Sequence, residues 1–129
     1  MKNVGIVGIG DMGSGLAKNL IKNGFSVIGL DLSEHRKLAF EAMGGQLAKD
    51  FAEIGRASDA VFVMVMNGTQ AKEIILGENG LVASMEKGGT ILLTATIKPT
   101  EAREIGAAMA GSGIDLIDSP VSGGFPGAQ

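Results

Sequence analysis

Val4-Gly5-Ile6-Val7-Gly8-Ile9-Gly10-Asp11-Met12-Gly13-Ser14-Gly15-Leu16-Ala17-Lys18-Asn19-Leu20-Ile21 decides the fold of this chain. Val4 to Ile9 is short, apolar and β-branched, which predicts a strand buried on both faces and therefore a parallel sheet. Leu16, Ala17, Leu20 and Ile21 recur at helical spacing, with Lys18, Asn19 and Lys22 on the other side, until Gly24 supplies a stop. Between strand and helix, Gly8-Ile9-Gly10-Asp11-Met12-Gly13 spells G-x-G-x-x-G. In that context each glycine has its own task. Gly8 allows the tight turn, Gly10 lets the backbone approach a pyrophosphate with no Cβ in the way, and Gly13 lets the helix pack close to the strand. The unpaired N–H groups and the positive end of the helix dipole then face the phosphates.

The segment beyond this turn predicts a second strand, Phe25 to Leu30, ended by Asp31. Asp31 lies roughly twenty residues past the glycines, where the dinucleotide fingerprint places a carboxylate that accepts hydrogen bonds from the adenosine ribose. With the adjoining Leu32 it is assigned to the adenosine end of the cofactor. A 2′-phosphate there would meet a like charge at a cost on the order of a few kcal/mol at an effective dielectric near 20, which selects NAD. No arginine is expected directly beside Asp31 to offset that charge, although Arg36 lies in the following helix. Ser33 is expected to cap that helix, with Leu38, Ala39, Ala42 and Met43 as its buried stripe before Gly44-Gly45.

The same alternation continues. A weak third strand is expected near Gln46 to Ala48, and a short helix over Phe51 to Arg56. Ala60 to Met66 is continuous, apolar and β-branched, the clearest strand in the chain, and Thr69 to Leu76 follows as a helix. Thr90 to Ala95 reads as a strand, Pro99 to Ala110 as a helix ended by Gly111, and Ile114 to Ile117 as the last strand. Strands alternating with helices imply right-handed βαβ crossovers. The expected architecture is an α/β Rossmann fold: a doubly wound, mostly parallel six-stranded sheet in the order 3-2-1-4-5-6.

Bulk properties narrow the function. The 129 residues, 45% of them hydrophobic, suffice for one domain with a real core. A net charge of -3 without charge blocks leaves no basic stripe for nucleic acid or anionic lipid. The absence of cysteine removes a disulfide framework, a Cys-ligated metal and a thiol nucleophile. Met1-Lys2-Asn3 runs straight into the first strand with no room for a signal peptide, and the longest apolar run is far too short to span a bilayer. The expectation is a soluble, cytoplasmic protein with no membrane or nucleic-acid partner. His35, the lone histidine, falls near the adenosine end and reads as a surface residue. Asp115 and Asp118 flank the last strand without the companions a metal would need.

The motifs now on the page resemble those of the β-hydroxyacid dehydrogenases, a family related to 6-phosphogluconate dehydrogenase. Gly8-Ile9-Gly10-Asp11-Met12-Gly13 with Leu16-Ala17-Lys18-Asn19-Leu20 is similar to the family's opening signature. Met66-Asn67 looks like its cofactor-lining strand end, with Val65 beside it as a further cofactor-binding candidate, Thr96-Ile97-Lys98-Pro99 resembles its S-T-I-x-P segment, and Asp118-Ser119-Pro120-Val121-Ser122-Gly123-Gly124 matches its D-A-P-V-S-G-G substrate loop. The resemblance implies that Thr96 meets the nicotinamide ribose side and that Ser122, Gly123 and Gly124 hold the substrate's carboxylate and hydroxyl. Thr94 and Ala95 depart from the Asp and Ser of many relatives, and Gly15 leans toward the L-threonate type.

Family members are much longer and add an all-helical domain that carries the acid–base lysine and an asparagine and supports oligomerisation. The resemblance places that lysine beyond Gln129, the last residue of the sequence. The chain therefore reads as an N-terminal, dinucleotide-binding part of such an enzyme, with no catalytic residue of its own. The implied reaction is hydride transfer between NAD(H) and a small β-hydroxy acid of the 3-hydroxyisobutyrate, L-threonate or tartronate semialdehyde type. Two alternatives stand beside it: an NADPH-dependent glyoxylate or succinic semialdehyde reductase, and an NAD-sensing module without chemistry.

Overall fold

In the computed structural model, which describes residues 3–8, 11–31, 33–64, 68–78, 80–94 and 98–118, strand and helix alternate as the periodicities require. The elements are β1 (Asn3–Val7), α1 (Asp11–Lys22), β2 (Ser26–Leu30), α2 (Glu34–Ala42), β3 (Gln46–Leu47) and α3 (Phe51–Ala57) in the first half. The second half holds β4 (Ala60–Val63), α4 (Gly68–Leu76), α5 (Leu81–Ser84), β5 (Thr90–Leu93), α6 (Pro99–Ala108) and β6 (Asp115–Asp118). The strands form one sheet in the order β3-β2-β1-β4-β5-β6, as predicted, and every pairing among the described residues is parallel.

β1 sits at the centre because four of its five residues are buried, so only an inner position satisfies it. It pairs with β2 on one side (Val4↔Val27) and β4 on the other (Val4↔Ala60). Ile6, Val27, Ala17 and Phe40 form the core under α1 and α2. Val7, Ile28, Ile54, Val61, Val63, Ile75, Leu81, Ile91, Leu93 and Ile105 form the core on the opposite face under α3 to α6. The helices that follow β1 and β4 therefore leave on opposite faces, and a crevice opens between these neighbouring strands at their carboxyl ends, the switch point of the fold.

At that edge three of the expected strands run on into residues outside the described ones. Among the described residues β1 runs to Val7, β4 to Val63 and β5 to Leu93, whereas β6 extends to Asp118, one residue past the expected end at Ile117. Single bonds carry each ladder one step further: Gly8 N–H to the Leu30 carbonyl (3.0 Å), Met64 N–H to Val7 (2.8 Å) and Thr94 N–H to Val63 (3.0 Å). Ile9, Val65, Met66 and Ala95, into which the expected strands run, lie outside the described residues.

α2 corrects the predicted stripe. Leu38, Ala39 and Ala42 face solvent, Leu38 with 65% of its surface exposed, and Met43 is half-buried. Phe40 is wholly buried instead, its ring against Gly29 and Gly45. Two glycines on the sheet side leave a hole only a large ring fills, and that sets the rotation of the helix about its axis. α5 has no counterpart among the expected elements: one turn with Gly80 as N-cap and no side-chain cap is too short for a periodicity to show. Among the described residues no helix is long and apolar enough to cross a membrane.

Candidate functional site

The crevice is built around the turn from β1 into α1. Gly8 has φ +86°, the left-handed region, and its N–H is tied to β2 through Leu30. A Cβ on Gly8 would run into the Met64 carbonyl at the end of β4, so both conformation and space require glycine. A Cβ on Gly13 would lie 2.7 Å from the Gly8 carbonyl oxygen and 3.6 Å from Ile6 Cγ2. The first turn of α1 is thus seated directly on the end of β1. Helix α1 starts at Asp11, and its first N–H groups have no partner inside the helix. Bare amides at the positive end of a twelve-residue helix make a site for an anion.

Asp31 stands at the end of β2 with its side chain only 7% exposed. Oδ1 accepts a hydrogen bond from the Ser33 N–H at 2.9 Å. Ser33 is the N-cap of α2, its Oγ accepting from the Arg36 N–H at 3.4 Å. This corrects the expectation that no arginine stands beside Asp31. The cap folds the first turn of α2 back, bringing Arg36 Nη1 to 4.0 Å from Asp31 Oδ2, with the Arg36 side chain half-exposed. A nearly buried carboxylate and a cation that offsets its charge therefore stand together between the end of β2 and the first turn of α2.

At the other side of the crevice, Thr94 Oγ1 donates to the Val63 carbonyl at 3.2 Å and clamps the ends of β4 and β5 together. Glu101, three residues into the β5–α6 corner, accepts from the Lys98 N–H at 3.0 Å and lies against Gly68 at the start of α4. Glu101 escaped sequence reasoning, although a Glu at the third helical position is a recognisable capping signal. His35 is exposed on α2, as predicted. Asp115 and Asp118 occupy opposite ends of β6, and no group of three His, Cys, Asp or Glu able to hold a metal exists among the described residues.

Of the predicted site residues, Ile9, Gly10, Leu32, Val65, Met66, Asn67, Thr96, Ser122, Gly123 and Gly124 lie outside the described residues, as do the side chains of Asp11 and Met12. Gln129, beyond which the family's lysine is expected, also lies outside them. A cavity of about 250 Å³ lined by Asn3, Arg56, Asp59, Glu86 and Lys87 opens at the opposite, amino edge of the sheet, away from this chemistry.

Residues 3–129 match the family described as the NAD binding domain of 6-phosphogluconate dehydrogenase. The chain belongs to that family. Nicotinamide dinucleotide binding is accordingly the function of its fold, consistent with the cradle at Gly8 and Gly13. The chain is 36% identical over 123 residues to L-threonate dehydrogenase of Cupriavidus necator, covering 95% of this chain and 41% of that protein. It is 32% identical over 126 residues to mitochondrial 3-hydroxyisobutyrate dehydrogenase of Mus musculus, covering 98% of this chain and 38% of that one. The crystal structure of 3-hydroxyisobutyrate dehydrogenase from Salmonella typhimurium superposes with a TM-score of 0.88 at 31% identity, over 98% of this chain and 44% of that chain. The chain therefore spans about two fifths of the length of these relatives.

Proposed function

We propose that this chain is the NAD(H)-holding part of a dehydrogenase that transfers hydride between the cofactor and a small β-hydroxy acid of the L-threonate, 3-hydroxyisobutyrate or tartronate semialdehyde type. The observation that carries the reading is the pairing of Gly8 and Gly13, where a side chain on either would collide with backbone, at the start of α1. Gly8, whose own N–H is held by Leu30, makes the turn, and the backbone amides that follow it at Ile9, Gly10, Asp11, Met12 and Gly13 receive the diphosphate, while Asp31 with Leu32 receives the adenosine ribose. Val65, Met66, Asn67 and Thr96 line the nicotinamide half. Ser122, Gly123 and Gly124 hold the substrate's carboxylate and hydroxyl. Bound there, the nicotinamide ring supplies the hydride acceptor. The acid–base lysine and the oligomer contacts belong to the part of the relatives that this chain does not span, past the counterpart of Gln129. Identity to L-threonate dehydrogenase supports a polyhydroxylated acid as substrate.

Arg36 beside Asp31 favours a second reading, use of NADP(H) by a glyoxylate or succinic semialdehyde reductase, since an arginine near the end of β2 can receive a 2′-phosphate from its place in α2. Calorimetry of the chain with NAD and with NADP tests both. NAD binding more tightly than NADP, with no turnover of L-threonate by this chain alone, is the expected result. Tighter NADP would favour the second reading, and turnover would show that the acid–base group lies within these residues.

A further inference from the structure

Asn23-Gly24, Asn67-Gly68 and Asn79-Gly80 are Asn-Gly pairs, and the first lies wholly among the described residues. It ends α1. Gly24 has φ +90°, its N–H donates to the Ile21 carbonyl at 3.1 Å, and the Phe25 N–H donates to the Leu20 carbonyl at 3.0 Å. Two such bonds around a left-handed glycine form a Schellman cap. Leu20 and Phe25 both pack against the core beneath α1, so the cap is seated on apolar contacts.

An asparagine followed by glycine is chemically labile, because the nitrogen of the next residue can attack the side-chain amide carbon and close a five-membered ring. Glycine has no Cβ to crowd that nitrogen. At this pair the Gly24 nitrogen gives its proton to hydroxide and bonds to Asn23 Cγ, the Cγ–Nδ2 bond breaks, and Nδ2 takes up a proton and leaves as ammonia. Water then opens the ring at either carbonyl. One product is aspartate in a normal backbone; the other is isoaspartate, in which the backbone runs through the side chain. The net change is amide plus water to carboxylate plus ammonium.

The fold both exposes and guards the pair. Asn23 and Gly24 face solvent, and a Cβ on Gly24 would meet nothing within 4 Å, so hydroxide and water can reach it. The Gly24 N–H, however, is engaged by Ile21. Asn23 Nδ2 donates to the Asn19 carbonyl at 2.7 Å and to Asn19 Oδ1 at 3.3 Å, which draws the side-chain amide back along α1. Ring closure needs both restraints released, and that means a local opening of the last helical turn.

We propose that Asn23 is a deamidation site gated by the Schellman cap of α1. Reaction weakens the cap that guards it. The new carboxylate sits at the negative end of the helix dipole, and the isoaspartate backbone, longer by one carbon, pulls the two cap bonds out of register.

The test incubates the chain at mildly alkaline pH, folded and in urea concentrated enough to unfold it. The peptide containing Asn23 is followed by digestion and mass spectrometry, with isoaspartate read by enzymatic methylation. Aspartate and isoaspartate are expected together, at a rate that rises with hydroxide concentration and is slower in the folded chain on the order of tenfold or more. Phe25→Ala, which loosens the seat of the cap, should speed the reaction in the folded chain and leave it unchanged in urea. Should Phe25→Ala fail to fold, urea below the unfolding transition should accelerate the reaction of wild type. Deamidated molecules, separated by anion exchange, should melt at a lower temperature than unmodified ones. Equal rates in the folded chain and in urea would overturn the gating. An Asn23 that stays intact in urea, or yields aspartate alone, would overturn the site itself.

Discussion

Gly13→Ala puts the geometry of the phosphate turn to a quantitative test. The new Cβ would lie 2.7 Å from the Gly8 carbonyl oxygen, where ordinary contact begins at 3.4 Å, so α1 must retreat by 3.4 − 2.7 = 0.7 Å. Gly8 cannot yield in its place, because its φ of +86° and its bond to Leu30 fix the carbonyl. Overpacking of this kind costs about 1–3 kcal/mol, and the better helix propensity of alanine returns up to about 1 kcal/mol. The net loss is about 0–2 kcal/mol. At roughly 2.1 cal/mol/K of unfolding entropy per residue, a chain of this size loses about 4 °C per kcal/mol, so Tm should fall by about 0–8 °C. Affinity should suffer more, since the retreat carries the amides away from the diphosphate, and a displacement approaching 1 Å can cost on the order of tenfold or more. Gly106→Ala in α6 is the control: its Cβ would find nothing nearer than 3.8 Å, so Tm should rise by up to about 4 °C with NAD affinity unchanged. Differential scanning fluorimetry and calorimetry read both quantities. If Gly13→Ala behaved like Gly106→Ala, the close seating of α1 on β1 would be wrong.

The packing of α2 predicts that Phe40→Ala costs about 3–5 kcal/mol while Leu38→Ala stays within about 0.5 kcal/mol, as measured by urea unfolding; the reverse order would restore the stripe expected from periodicity. Arg36→Ala should weaken NADP relative to NAD by up to about fivefold, because it removes the cation beside Asp31, and an unchanged ratio would deny Arg36 any part in cofactor choice. The hydrogen bond from Lys72 to Glu104 holds the Lys72 ammonium above its usual value of 10.5. A group raised on folding contributes fully below its unfolded value and loses that contribution as pH climbs through the folded one. The Tm gap between wild type and Lys72→Met should therefore be constant from about pH 6 to 9 and close only above about 10.5, and a gap that changes near neutral pH would contradict the pairing.

The sheet order was legible because each strand is a short apolar β-branched run bounded by glycine or a capping residue, and because parallel crossovers leave few topologies open. Gly8, Gly13 and Asp31 were legible because their spacing reflects backbone constraints that are local in sequence. The rotation of α2 was not, since it depends on a cavity made by Gly29 and Gly45 on other elements. Arg36 meets Asp31 only because Ser33 folds the chain between them, and Glu101 reaches Gly68 across two strands. The second is a contact between elements far apart in sequence, and the first, though local, depends on the geometry of the cap rather than on any periodicity. The expected strand ends at Ile9, Met66 and Ala95 lie outside the described residues.

A crystal structure of the chain with NAD tests the central claim most directly. The account predicts diphosphate oxygens about 3 Å from backbone N–H groups between Gly8 and Gly13, with the adenosine ribose on Asp31. A nucleotide bound at any other edge of the sheet, or a side chain of the protein filling the space in front of α1, would contradict it.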